Sequence, residues 1–127
     1  MEHTADWELE AWAADLPGLL EQAARGMYAL AGVRLKDGPR QTCSITVQGA
    51  DGESLLVKFL SELLYLGGQK GLAFETFDLH MAGYTLQAEL TGAPIATQDK
   101  EIKAVTYHRL AIHQEPHGLA VNVVFDV

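Results

Sequence analysis

Residues Asp51–Thr91, DGESLLVKFLSELLYLGGQKGLAFETFDLHMAGYTLQAELT, change their apolar period partway along. In the first half Leu55, Leu56, Phe59, Leu60, Leu63 and Leu64 recur at the three- and four-residue spacing of one helix face. That spacing predicts a helix beginning near Asp51, Gly52 or Ser54 and ending at Gly67-Gly68. In the second half the period drops to two, predicting strands over Leu72–Met81 and Tyr84–Thr91 with Gly83 in the turn between them. The alternation slips after Phe74, as a β-bulge would make it do.

Upstream, Leu16, Leu19, Leu20, Ala23, Ala24 and Met27 mark a second amphipathic helix, with Asp15 as N-cap, Pro17 in the first turn and Gly32 as stop. Cys43, Ile45 and Val47 alternate with polar residues as a half-buried strand does. So do Trp7, Leu9 and Ala11 against Glu8 and Glu10, in a strand over Trp7–Trp12. Downstream, Ala93-Pro94 and the polar run Thr97–Lys100 read as loop. Strands are expected around Tyr107–Ile112 and over Leu119–Phe125, joined by the tight connection Pro116-His117-Gly118. The order strand, helix, strand, helix, then four strands predicts a single α+β domain spanning 1–127. It would have two layers, with two helices packed on one curved mixed or antiparallel sheet of about six strands.

The totals narrow the function classes. Apolar residues make up 48% and charged residues 20% of the 127, an ordinary globular composition. The single cysteine, Cys43, can form no intramolecular disulfide. The segment Met1–Asp6 has no signal-peptide pattern, and no run is apolar enough to span a membrane, so a cytoplasmic location is expected. Seventeen acidic against nine basic residues give a net charge of −8, a field that repels phosphate backbones. Any role in RNA metabolism is therefore expected to pass through a partner protein.

Three short segments carry chemistry-bearing residues. His3-Thr4-Ala5-Asp6 precedes the first strand and, alone, is an ordinary polar stretch. Lys103-Ala104-Val105-Thr106-Tyr107-His108 combines a cation, hydroxyls and an imidazole, although a solvated lysine and a strand histidine explain it equally well. Asp126 sits beside the last residue, Val127, on a strand whose inward face is Leu119, Val121, Val123 and Phe125. An exposed aspartate at a strand end is the plain explanation. Two carboxylates so close repel unless a cation or hydrogen-bond donors lie between them.

Taken in order, these three segments together with Glu62-Leu63-Leu64-Tyr65-Leu66 resemble the archease family over nearly the whole chain. The resemblance implies a small α+β protein that performs no catalysis itself. It would act as cofactor of the GTP-dependent, RtcB-type RNA ligase of tRNA splicing, promoting guanylylation of the ligase histidine and multiple turnover. It further implies a metal site at Asp6, Asp126 and a chain-end oxygen of Val127. Those donors suit a hard divalent cation, Ca²⁺ first, with Mg²⁺ or Mn²⁺ as alternatives. Lys103 matches the family position that works beside these acids, a strand's width from Asp6 and Asp126. His3, Tyr107 and His108 are further candidates for partner contact or activation. RNA would be met only through the ligase.

Two other functions remain in view: a general chaperone or modulator of RNA-processing enzymes such as tRNA methyltransferases, and a small metal-dependent hydrolase. Against the hydrolase, the sequence shows no nucleophile paired with a base and no glycine-rich phosphate cradle.

Overall fold

A computed structural model describes residues 6–127, the side chain of Asp6 excepted. The elements in chain order are β1 (Asp6–Ala13), α1 (Leu16–Ala31), β2 (Arg34–Leu35), β3 (Gln41–Gln48), α2 (Gly52–Lys70), β4 (Leu72–Ala82), β5 (Thr85–Thr97), β6 (Ala104–Val105), β7 (His113–Glu115) and β8 (Gly118–Asp126). Both helices start where the sequence places them. Asp15 Oδ1 accepts from Gly18 N at 2.9 Å, and Asp51 and Ser54 form a reciprocal capping box.

The α+β architecture is as expected, but the strands divide into two four-stranded sheets instead of one. In the first, β8 is central, with β1 on one side and β6 and β7 on the other. In the second, β5 is central and pairs with β2, β3 and β4. Every pairing is antiparallel. The helices join the sheets: α1 packs on β1, β8 and β4, while α2 packs on β3, β4, β5 and β6. Between these layers Leu19, Leu20, Leu55, Leu56, Phe59, Leu60, Leu63, Leu86, Leu90 and Phe125 are wholly buried. Each large side chain taken fully out of water contributes about 1.5–3 kcal/mol.

The bulge lies where the alternation slips. Phe74 pairs with Gly92 and Thr76 with Thr91, leaving Glu75 as the extra residue. There the strands approach so closely that a Cβ on Gly92 would lie 1.9 Å from the Ala73 carbonyl oxygen.

Three local expectations are corrected. First, α2 does not stop at Gly67-Gly68. Burial of Leu66 holds its last turn, and the terminator is Gly71 at φ 64°, whose N–H reaches the Gly67 carbonyl at 3.0 Å. Second, Ala93-Pro94 is not loop. β5 continues through it because Pro94 contributes a carbonyl, accepting from Lys36 N at 2.8 Å, and the next donor is Ile95 N, bonded to the Gly71 carbonyl at 2.7 Å. Third, Tyr107–Ile112 is not a strand. Thr106 directs both its N–H and its Oγ1 to the Val124 carbonyl, each at 3.0 Å. The chain then turns, with Leu110 N on the Tyr107 carbonyl and Arg109 at φ 53°. The apolar residues that suggested a strand, Leu110 and Ile112, dock on the core from this loop, and Ile112 N is held by Glu53 Oε2 at 2.9 Å.

Candidate functional site

The register of the first sheet brings distant parts of the chain to one corner. β1 pairs with β8 over eight residue pairs, from Ala13 opposite Leu119 to Asp6 opposite Asp126. On the other flank of β8, Ala104 stands opposite Asp126, and Lys103 N donates to the Asp126 carbonyl at 2.7 Å. Because that carbonyl points toward β6, Asp126 and Asp6 form a non-hydrogen-bonded pair. This is the antiparallel arrangement in which facing side-chain positions lie closest. Positions 6, 126 and 104 thus share one face of the sheet, on strands about 4.8 Å apart.

Packing holds the corner in place. Phe125 is wholly buried and Val127 packs against the core, so Asp126 between them is turned outward. Ile102 and Val105 are buried on either side of Lys103 and Ala104, which are exposed. Lys103 is therefore one residue out of step with the carboxylate positions: its backbone touches Asp126, while the position across from Asp126 belongs to Ala104. The ion pairs among the described residues are Arg25–Glu21 and Arg40–Glu75, beside a His80–Asp78 contact, and none of these involves Lys103 or Asp126.

Lys103 opens instead onto a groove that it lines together with Ser61 and Tyr65 of α2 and with Glu101. Tyr65 is 58% exposed there, so its ring is available to a partner and does not complete the core. Tyr107, 56% exposed, and His108 lie on the turn that follows β6. His3 lies outside the described residues, as does the side chain of Asp6. Among the described residues no group of three His, Cys, Asp or Glu side chains is gathered as a metal set.

Two neighbours of the site escaped the sequence reading. Ser61 stands one helical turn before Tyr65, a spacing that was legible but unweighted. Glu101 is placed by the chain's return from β5, which no local pattern announces. Among the described residues no helix is long and apolar enough to cross a membrane.

Comparison with known proteins agrees with this arrangement of elements. The model of the archease protein family matches residues 1–127. Protein archease of Thermococcus gammatolerans is 32% identical over 125 residues, covering 92% of this chain and 88% of that protein. Protein archease of Pyrococcus furiosus is 33% identical over 126 residues with the same coverage. A crystal structure of an archease from Thermotoga maritima, described as a possible chaperone, superposes with a TM-score of 0.73 at 26% identity, covering all of this chain and 94% of that one. The solution structure of Methanobacterium thermoautotrophicum protein 1598, 24% identical with a TM-score of 0.70, shares the fold. The chain belongs to the archease family.

Proposed function

We propose that this protein is a non-catalytic activator of a GTP-dependent RNA ligase of the RtcB type, and that the corner formed by Asp6, Lys103 and Asp126 is the part that acts on the ligase. The observation that carries the proposal is the register itself, which places two acidic positions directly opposite each other and a lysine backbone against one of them. Like charges in facing positions of a sheet destabilise it, so such a pair calls for a cation between its members.

Carboxylates at Asp6 and Asp126 together with an oxygen of Val127 would make an all-oxygen donor set, which fits Ca²⁺ or Mg²⁺ better than a soft metal. A bound hard cation would neutralise the two carboxylates and fix their orientation. Lys103 supplies a positive charge on the groove side, where a phosphate or carboxylate of the ligase complex could meet it. Tyr65 lines that groove, and Tyr107 and His108 follow β6 in the chain; all three are exposed and suited to partner contact. The net charge of −8 suits docking on a basic, RNA-binding enzyme better than binding RNA directly.

Multiple-turnover sealing of phosphate-ended RNA by a cognate ligase tests this. Ligase alone should stall after its first round, and the wild-type chain should restore turnover. The variants Asp126→Ala and Lys103→Ala, each folded by circular dichroism, should fail to do so. Unchanged turnover with the wild-type chain, or full rescue by both variants, would end the proposal. The chaperone description attached to the Thermotoga relative supports a second reading, in which many enzymes are clients. Affinity capture separates the two, since an activator returns chiefly one ligase and a chaperone returns many unrelated enzymes.

A further inference from the structure

Among the described residues β1 is an edge strand with no strand paired on its outer side. On β8 the carbonyls of Val124 and Asp126 accept from Thr106 N and Lys103 N, so the even-numbered backbone groups of β8 face β6. By alternation Phe125, Val123, Val121 and Leu119 bond to their partners in β1, namely Trp7, Leu9, Ala11 and Ala13. The N–H and C=O groups of Glu8, Glu10 and Trp12 therefore point away from the sheet. Among the described residues no other element bonds to them.

The pairing of β1 runs through eight consecutive positions without a bulge, and β1 contains no proline, so the edge lacks two common devices that discourage strand addition. Nor does α1 close it off. A groove runs between β1 and the helix, along Leu9–Ala13 on one wall and Gln22, Gly26 and Ala29 on the other. A second depression lies on the far side of Trp12, formed with His117 and the chain around it. Trp12 stands between the two at 67% exposure, the most exposed large apolar side chain among the described residues.

We infer that the free edge of β1 is a docking site for an extended, lysine- or arginine-bearing segment of a partner protein, which adds as a further strand to the first sheet. The side chains on the solvent side of β1 are Glu8, Glu10 and Trp12. A cation facing each glutamate gives opposite-charge cross-strand pairs, and a third can lie over the Trp12 indole. Among the described residues the one cation lining the groove, Arg25, is already engaged, 2.9 Å from Glu21 and 5.1 Å from the centre of the Phe77 ring. The same charges argue against a second copy of this chain as occupant, because two β1 edges would set glutamates against glutamates. Backbone pairing supplies affinity and the alternate side chains supply selectivity, as in other strand-addition complexes. The inference goes beyond the ligase proposal and holds whichever protein supplies the segment.

The probe is a fluorescein-labelled heptapeptide alternating lysine and valine, titrated with the full chain and followed by anisotropy and amide hydrogen exchange. Saturable binding is expected, with slowed exchange at the Glu8, Glu10 and Trp12 amides. The Glu8→Lys/Glu10→Lys double variant should bind at least about tenfold more weakly. Peptides N-methylated at alternate residues, in either register, should not bind. Equal binding of the methylated peptides, or of a glutamate–valine analogue, would overturn the inference, as would protection at Cys43–Val47 in place of β1. Peptide binding undiminished in the double variant, with ligase activation retained, would overturn this inference and leave the corner proposal intact, so the two can fail separately.

Discussion

Asp126 pairs with β1 on one side and with β6 on the other. It is held outward by the burial of Phe125 and the packing of Val127, and it faces Asp6 in a non-hydrogen-bonded pair. Removing its charge has two expected effects of opposite direction. In Asp126→Asn, calorimetric affinity for Ca²⁺ should fall by about tenfold or more, since the proposed site would lose a carboxylate donor. In metal-free buffer, urea unfolding should show stability unchanged or raised by about 0.2–1 kcal/mol, because a facing like-charge pair is relieved. Loss of both metal affinity and stability would instead mark Asp126 as a structural residue. Tyr28, half-buried against the core, offers a separate residue-scale test. Burial pushes its hydroxyl well above the ordinary tyrosine value, with the Phe74 backbone offsetting only part of the rise. A folded-state value above the unfolded one, near 10, means that the unfolded chain releases its proton first. The stabilising contribution is thus complete below about pH 10 and is lost as pH climbs toward the folded-state value. Denaturant midpoints measured from pH 8 to pH 11.5 should fall at the alkaline end for the wild type and fall less for Tyr28→Phe. Parallel curves would contradict this.

Two glycine substitutions with opposite expected signs test the packing of the elements. Gly92→Ala should destabilise by about 3 kcal/mol or more, since its Cβ would collide with the Ala73 carbonyl at the β4 bulge. Gly68→Ala should stabilise by about 0.5–1 kcal/mol, since that residue is helical and nothing lies within 4 Å of an added Cβ. Urea unfolding of the two variants reads both signs. Elements were legible where the signal was local. The Asp15 cap, the start of α2 near Asp51, the alternation of Trp7–Ala11 and of Cys43–Val47, and the slip after Phe74 each depend on residues a few positions apart. They were illegible where a distant partner decided. Gly67-Gly68 remains helical because Leu66 is buried, Pro94 remains in a strand because Lys36 needs its carbonyl, and Thr106–Ile112 becomes a loop because Val124 captures Thr106. The candidate site divides in the same way. Its residues were named from segment resemblance, but the placement of Asp6 opposite Asp126 is a contact between the two ends of the chain, and no local spacing could display it. The one-residue offset of Lys103 from that pair likewise follows from a β6 of Ala104–Val105 alone, which no local spacing announces.

At the scale of the whole molecule, two helices joining two sheets hold together a surface with a net charge of −8, on which the corner is one region and the open β1 edge another. A chain of that charge should bind RNA poorly by itself. In gel-shift titrations at about 0.15 M salt, where the Debye length is about 8 Å, the protein alone should leave a phosphate-ended RNA unshifted, while the ligase shifts it. A tight complex with RNA alone would require a basic surface that the sequence does not supply. The most direct measurement is the single-turnover rate at which GMP is transferred from labelled GTP to the histidine of a cognate ligase. The wild-type chain should accelerate that transfer. Asp126→Ala and Lys103→Ala should each lose at least about tenfold of the acceleration, a loss of about 1.4 kcal/mol or more. Asp37→Ala, which removes an exposed acid outside the corner, should keep it. Equal acceleration by the corner variants and the wild type would contradict the account.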